Sequence, residues 1–380
     1  MHLTQPQPPS RNPAQPVNCS EMKILKALIL VGGFGTRLRP FTLSMSKPLV
    51  PFMNKPMVVH QIEALAQAGV TEIILAVNNQ NEQMTTAMSK YAKALSVKIT
   101  FSVEQEPLGT AGPIALAADI LREGNQPFFV LNSDVSCNFP FEAMLEQHKR
   151  TGAIGTLLVT KVAEPSKYGV VVTRTGSNQI DSFVEKPAEF ISNRINAGIY
   201  VLSPEILQKI PLANVSIEKE VFPDVAAEGA LFLHDLEGYW MDVGQPKDYL
   251  VGTGLYLEAK HRSTGKAKGI IGNVLIDPSA RIGKDCLIGP NVVIGPNVVI
   301  GNGVRLSKVT LMEGAVVGDN SMVTNSIIGW KCSIGSWVRI EGMSVLGEDV
   351  TVADELYVNG ACVLPHKAIS ENVHEPRIIL

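Results

Sequence analysis

Apolar and polar positions follow two different periods along this chain, and the change falls near residue 261. In the first part, short apolar runs alternate with helix-spaced patterns. The runs Ala27–Val31, Ile73–Val77, Val97–Val103 and Phe128–Leu131 read as buried strands, and Ile180–Val184 and Ile199–Val201 extend the series. Met57, Ile62, Leu65 and Ala66 recur at helical spacing and stop at Gly69, a residue suited to a helix C-terminus. Alternating strands and helices predict a mostly parallel sheet with helices on both faces. On such a sheet, ligands sit beyond the carboxyl ends of the strands.

The second part keeps a six-residue period. Ile270, Ile276, Ile282, Ile288, Ile294, Ile300 and Leu306 fall six apart. After a slip of one, Leu311, Val317 and Val323 continue; after another, Ile328, Ile334, Ile340, Leu346, Val352 and Val358 follow. This hexapeptide repeat predicts a left-handed parallel β-helix of about five coils, each built from three hexapeptides. The expected picture has the apolar residue pointing into a triangular prism, and glycines such as Gly283, Gly289, Gly295 and Gly301 easing the corners. A solenoid of this kind exposes flat ladders, so self-association through it is expected. The fold class is α/β: a Rossmann-like domain with a mixed, mostly parallel sheet, then the β-helix. The expected division is a disordered proline-rich extension over 1–21, a catalytic domain over 22–260 and the β-helix over 261–380.

Composition narrows the function classes. The chain has 380 residues, a net charge of −3, 45% apolar and 18% charged residues. That balance indicates no broad basic surface for nucleic acid or anionic lipid. No apolar run approaches the roughly 20 residues of a membrane span. The first residues lack the apolar core of a signal peptide and the arginine-rich pattern of a transit peptide, which predicts a cytoplasmic protein. Cys19, Cys137, Cys286, Cys332 and Cys362 have no paired spacing, so they read as structural thiols rather than a disulfide frame or zinc site.

The chemistry concentrates at strand ends. The run Ala27–Val31 empties into Gly32, Gly33 and Gly35, with Thr36, Arg37, Arg39 and Lys47 close behind. Glycines admit a ligand close to the backbone, and N–H groups with nearby cations make a phosphate site. Leu38 breaks the dinucleotide fingerprint, and Gly35-Thr36-Arg37 does not end as a P-loop does. Asp134 follows a strand ending in Asn132-Ser133, and Asp242 follows Tyr239-Trp240-Met241. Two acids from separate strand ends could hold one Mg²⁺ through hard oxygens. Glu185-Lys186-Pro187 and Asn196-Ala197-Gly198 offer a phosphate cation and polar groups for a sugar. Glu104 or Glu106 could complement the N–H donors of guanine, with Gly109 admitting the base. His366 and His374 stand where a hexapeptide acyltransferase would need a catalytic histidine, but both lie beyond the main repeats.

In order, Gly-Gly-x-Gly-Thr-Arg, Lys47-Pro48, Gly109-Thr110-Ala111-Gly112, the strand-end Asp134, Tyr168-Gly169-Val170-Val171, Phe183-x-Glu185-Lys186-Pro187, Asn196-Ala197-Gly198 and Asp242-Val243-Gly244 resemble the sugar-1-phosphate nucleotidylyltransferase family. The stretches Glu355–Gly360 and Val363–Lys367 and the ending Glu375–Leu380 are similar to its branch that acts on GTP and mannose 1-phosphate. The resemblance implies that Leu30, Gly32, Gly33, Gly35, Thr36, Glu104, Gly109 and Asp134 meet the nucleotide. It implies catalytic roles for Arg37, Lys47 and Lys186. Gly169, Glu185, Lys186 and Asn196 would take the sugar phosphate, and Asp134 and Asp242 the Mg²⁺. GDP-mannose would be the product, and the family leaves room for a homo-oligomer and a regulatory paralogue. Ser46 departs from the proline that many relatives carry before Lys-Pro. Two alternatives share the architecture: the same transfer with glucose 1-phosphate and dTTP or UTP, and a non-catalytic regulatory subunit.

Overall fold

The structure is a computed structural model that describes residues 26–33, 35–78, 82–260 and 268–380. The proline-rich stretch 1–21 and Cys19 lie outside the described residues.

Strands β1 (Lys26–Leu30), β2 (Glu72–Val77) and β3 (Lys98–Val103) run parallel, and β4 (Phe128–Asn132) joins β1 on its other side, also parallel. Every residue from Ala27 to Ile29 is fully buried, which is what a sheet covered on both faces requires. Helix α1 (Met57–Gln67) fills one face with Val58, Val59, Ile62 and Leu65, and ends before Gly69 at φ 87°. Beyond β4 the sheet turns antiparallel. The short β5 (Val135–Cys137) leaves it, helix α2 (Phe141–Thr151) crosses, and β6 (Gly155–Lys161), β7 (Gly169–Thr173), β8 (Ile180–Glu185) and β9 (Arg194–Leu202) complete the antiparallel part. β9 pairs antiparallel with β4, β6 and β7, and β8 with β7. β10 (Leu231–Asp235) adds to β6 in parallel, while β11 (Trp240–Asp242) pairs with β5 apart from the main sheet. Helix α3 (Pro246–Lys260) closes this part.

One buried histidine sits inside this frame. His148 on α2 has Nδ1 2.9 Å from Thr156 Oγ1 and Nε2 2.9 Å from Ser203 Oγ. Burial pushes its pKa down to about 4. The depressed value means the neutral form is favoured by folding. Its contribution is fully present above the unfolded value of roughly 6.5 and is lost as pH falls toward 4. Urea unfolding should show wild type losing about 2 kcal/mol more than His148→Gln between pH 7 and pH 5. Parallel loss in both proteins would contradict this.

From Val274 onward the chain winds as a parallel β-helix. Arg281 pairs with Val299 and Val299 with Val316, so one coil advances 18 residues and the next 17. The shorter coils contain the slips in the hexapeptide phase. Ile288, Ile294, Ile300, Leu306, Leu311, Val317 and the later repeat residues form the buried core. Two details differ from the expectation. Ile282, in the first coil, is 37% exposed because its strand is the first of its ladder among the described residues. The corner is also carried by a different residue. Asp285, Asn297, Asn320, Lys331, Trp337, Asp349, Glu355 and His366, each three places after an inward residue, have φ between 55° and 61°. The glycine after the inward residue instead permits coil stacking: a Cβ on Gly283 would lie 2.5 Å from Gly301 O.

One face of the β-helix docks on the first part. Val293, Met312, Ile327, Trp330 and Val345 share a buried cluster with Leu38, Phe41, Phe52, Tyr249 and Leu257. The Phe41 and Trp330 rings meet edge-on at 5.8 Å, and Asn54 Nδ2 donates to Ile294 O at 2.9 Å. No helix among the described residues is long and apolar enough to cross a membrane.

Candidate active site

The carboxyl end of β1 opens into a cavity of about 480 Å³ lined by Leu30, Gly32, Gly33, Gly35, Thr36, Arg37, Lys47, Glu104, Gly109 and Asp134. Leu30 ends the strand, and the glycine turn follows at once. Gly35 has φ 61°, and a Cβ there would fall 2.9 Å from Thr42 Cγ2 and 3.0 Å from Lys47 Cβ, so glycine is required where the chain folds back. Thr42 Oγ1 donates to Gly35 O at 2.8 Å and fixes that turn.

A second cavity of about 490 Å³ adjoins it, lined by Gly169, Glu185, Lys186, Asn196, Trp240 and Asp242 among others. Arg37, Thr110, Asn132 and Asp134 line both. The residues that the sequence assigns to nucleotide, sugar phosphate and metal lie in one cavity or the other, whereas Glu106 and Arg39 are exposed and line neither. Glu104 is buried and accepts the Leu108 N–H at 3.0 Å, so it also shapes the loop that borders the cavity.

Asp134 and Asp242 meet at the junction. The cause is the short ladder of β5 with β11, which sets Asp242 opposite Val135, and the Val243 N–H donating to Asp134 O at 2.8 Å. From behind, the fully buried Gln61 donates to Asn132 O at 2.8 Å and Val135 O at 2.9 Å, clamping the turn that carries Asp134. Lys47 Nζ lies 2.5 Å from Asp134 Oδ2, both side chains largely buried.

The two carboxylates have opposite electrostatic fates. Burial works against ionising Asp134, but the Lys47 charge and hydrogen bond outweigh it and hold its pKa below the ordinary value. Asp242 is pushed up to about 7, first by burial and then by the negative charge of Asp134. Its Oδ1 is buried with no hydrogen-bond partner among the described residues. Two hard carboxylates facing each other, one of them with an orphaned buried oxygen, are a donor set that suits Mg²⁺.

Along the second cavity, a Cβ on Gly169 would strike the Phe183 ring at 2.5 Å, and Glu185 stands opposite Gly169 in the ladder of β7 and β8. Lys186 has φ 48° and reaches back to Glu185 at 3.2 Å with its side chain 64% exposed. Tyr168 and Trp240 pack edge-on at 5.4 Å as one wall. Lys167, Ser216, Glu218 and Lys219 also line this cavity. Ser216, Glu218 and Lys219 carry no signal in the sequence, because residues 216–221 show no apolar period. Gln61 reads as one polar break in an apolar helix face.

Among the described residues, no thiol lines either cavity of the site, and neither does His366 or His374. Burial raises Cys137 and Cys332 to about 12. His366 pairs at 3.0 Å with Asp349 on an exposed corner.

The nucleotidyl transferase family model matches residues 26–258, and the GMPPB C-terminal domain model matches 270–379. A Schizosaccharomyces pombe protein named mannose-1-phosphate guanyltransferase is 60% identical, covering 94% of this chain and all of its own. The Xenopus laevis mannose-1-phosphate guanyltransferase beta-A is 58% identical over the same shares. Among solved structures, HddC from Yersinia pseudotuberculosis complexed with GMP-PN superposes with a TM-score of 0.51 at 28% identity, covering 60% of this chain and 96% of its own.

Proposed function

Because the chain belongs to the nucleotidyl transferase family, we propose that it transfers GMP from GTP to mannose 1-phosphate, releasing GDP-mannose and pyrophosphate. The observation that carries this is the junction of two cavities at Arg37, Lys47, Asp134 and Asp242. One cavity has the glycine turn for a polyphosphate, and the other has cations and hydrogen-bonding groups for a sugar phosphate. The names of the full-length relatives support guanine and mannose, and Glu104 in the nucleotide cavity offers the acceptor that guanine needs.

A phosphate oxygen of mannose 1-phosphate attacks the α-phosphorus of GTP. The bond from that phosphorus to the bridging oxygen of the β-phosphate breaks, and pyrophosphate leaves with the electron pair. The task of the protein is positioning and charge stabilisation. Lys47, at the junction, faces the charge that builds on the α-phosphoryl group. The Arg37 fork, on the same wall as the glycine turn, takes the departing pyrophosphate. Gly32, Gly33, Gly35 and Thr36 cradle the triphosphate. Lys186 holds the phosphate of the sugar, while Glu185, Asn196 and the Gly169 backbone meet its hydroxyls. Asp134 and Asp242 are the residues that would hold Mg²⁺, which when bound neutralises phosphate charge. Self-association runs through the β-helix, where the outward Val299 and Val316 are each 39% exposed and Trp337 is 64% exposed.

The test is pyrophosphate release across a panel of nucleoside triphosphates and hexose 1-phosphates. GTP with mannose 1-phosphate should exceed every other pair, including dTTP or UTP with glucose 1-phosphate. No release with any pair would favour a non-catalytic subunit. Within the reaction, Lys186→Ala should raise the KM for mannose 1-phosphate by about 10–100-fold and leave the KM for GTP within about twofold. Equal weakening toward both substrates would remove Lys186 from the sugar-phosphate role.

A further inference from the structure

The buried cluster between the β-helix and the first part of the chain is built from sequence neighbours of the residues that face phosphate and metal. Leu38 follows Arg37, Met45 stands two places before Lys47, and Met241 and Val243 flank Asp242. Leu38 and Val243 are fully buried there, and Met45 and Met241 are half-buried. The β-helix supplies the opposite side with Met312, Ile327, Trp330 and Val345.

The segment that carries Arg37 and Lys47 is fastened to this floor on both sides of Lys47. Upstream, the fully buried Phe41 meets the Trp330 ring edge-on at 5.8 Å. The next residue is Thr42, whose hydroxyl donates to Gly35 O at 2.8 Å in the phosphate turn. Downstream, the Tyr249 hydroxyl donates to Pro51 O at 2.6 Å, and Asn54 Nδ2 donates to Ile294 O of the β-helix at 2.9 Å. Arg37 in turn lies against the end of β11: a Cβ on Gly244 would fall 3.2 Å from Arg37 Nη2 and 3.1 Å from Asp242 Oδ1. Arg37, Lys47 and Asp242 thus share one support. Among the described residues, β7, β8 and β9, the strands with Gly169, Glu185 and Asn196, contribute nothing to the cluster. Close-packed interiors transmit displacement, so a void opened beneath the segment is felt at its ends.

Resting on the function proposed above, we propose that Trp330 is a positioning residue for the transfer, and that the β-helix is the seat that holds Arg37, Lys47 and Asp242 in register with the triphosphate. The β-helix then acts on the nucleotide and on the chemical step, and leaves the grip on the sugar phosphate alone. The lever is long but the tolerance is small: a shift of about 1 Å, imposed far from the reacting atoms, costs on the order of 10²-fold in rate.

The experiment is steady-state kinetics on the full chain, with GTP and mannose 1-phosphate varied separately at a temperature well below melting. In Trp330→Leu, kcat should fall by about 10–100-fold and the KM for GTP should rise by about fivefold, with the KM for mannose 1-phosphate within about twofold of wild type. Trp330→Phe keeps a ring against Phe41 and should bring kcat back to within about threefold. Phe41→Leu should reproduce the loss, and the double variant should lose little more than either single one, because the two rings act as a pair. The control is Ile340→Ala, a cavity in the β-helix core away from the junction, which should lower the melting temperature and keep kcat and both KM values within about twofold. Thermal melts report which variants fold, and Phe41→Leu carries the test if Trp330→Leu does not. A folded Trp330→Leu or Phe41→Leu with kcat and the KM for GTP within twofold of wild type would overturn the proposal. So would losses that multiply in the double variant, or an Ile340→Ala that loses as much activity. Each of these outcomes is read against an active wild type and leaves the proposed function standing. A wild type that turns over no pair of nucleotide and sugar phosphate would overturn the function, and the proposed seat with it.

Discussion

Replacing Lys47 with alanine should lower kcat for GDP-mannose formation by about 10³-fold, with the KM for mannose 1-phosphate changed little. The reason is position. Lys47 is the ammonium at the junction of the two cavities, 2.5 Å from Asp134 Oδ2 and largely shielded from water. Charge develops on the α-phosphoryl group between the entering and leaving oxygens, and a fixed cation there acts more strongly in the transition state than in the ground state. The substitution also strands Asp134 beside Asp242 without its partner, so the variant should be less stable by about 1–3 kcal/mol. Arginine should not rescue, since a planar fork cannot take the place of a compact ammonium in that space. Steady-state kinetics together with a thermal melt separate the two effects. A folded Lys47→Ala with kcat within tenfold of wild type would remove Lys47 from the chemistry.

The second large effect belongs to Asp242. Asp242→Asn keeps the shape of the side chain and removes a charge. The Mg²⁺ concentration for half-maximal rate should rise by at least about tenfold, and kcat at saturating Mg²⁺ should fall by about 10²-fold. The folded protein should not suffer. Asp242 is held toward its protonated form by burial and by the charge of Asp134, and its Oδ1 has no hydrogen-bond partner among the described residues. An uncharged amide relieves the repulsion between the two carboxylates, so the melting temperature should stay or rise. Unchanged Mg²⁺ dependence with a reduced melting temperature would make Asp242 a structural residue.

Much of this site can be read from the chain because its parts announce themselves locally. A buried run that empties into Gly32, Gly33 and Gly35 with Arg37 and Lys47 behind it is suited to little besides holding phosphate. The six-residue period likewise marks a β-helix, since no other regular element repeats its inward residue at that spacing. What stays hidden depends on long-range pairing. Asp134 and Asp242 can be paired from their chemistry, but the cause of their adjacency, β5 pairing with β11 over a hundred residues away, cannot be read, because three-residue strands leave no periodic trace. Gln61 and Glu218 are illegible for the same reason, as each is polar in a stretch where polarity alone signals solvent. The β-helix corners depart from expectation because glycine is the familiar left-handed residue, whereas here asparagine, aspartate and even Trp337 take that conformation. The glycines answer to a different constraint, the close approach of one coil to the next. The docking of Trp330 on Phe41 leaves no trace either, because an aromatic among hexapeptides reads as ordinary core.

The most direct measurement follows the label in [α-³²P]GTP during incubation with mannose 1-phosphate and Mg²⁺. Transfer at the junction of the two cavities predicts that the label moves into GDP-mannose in step with pyrophosphate release, and that Lys47→Ala stops both together. Label that remains in GTP, or that appears in GMP or GDP whether or not the sugar phosphate is present, would contradict it.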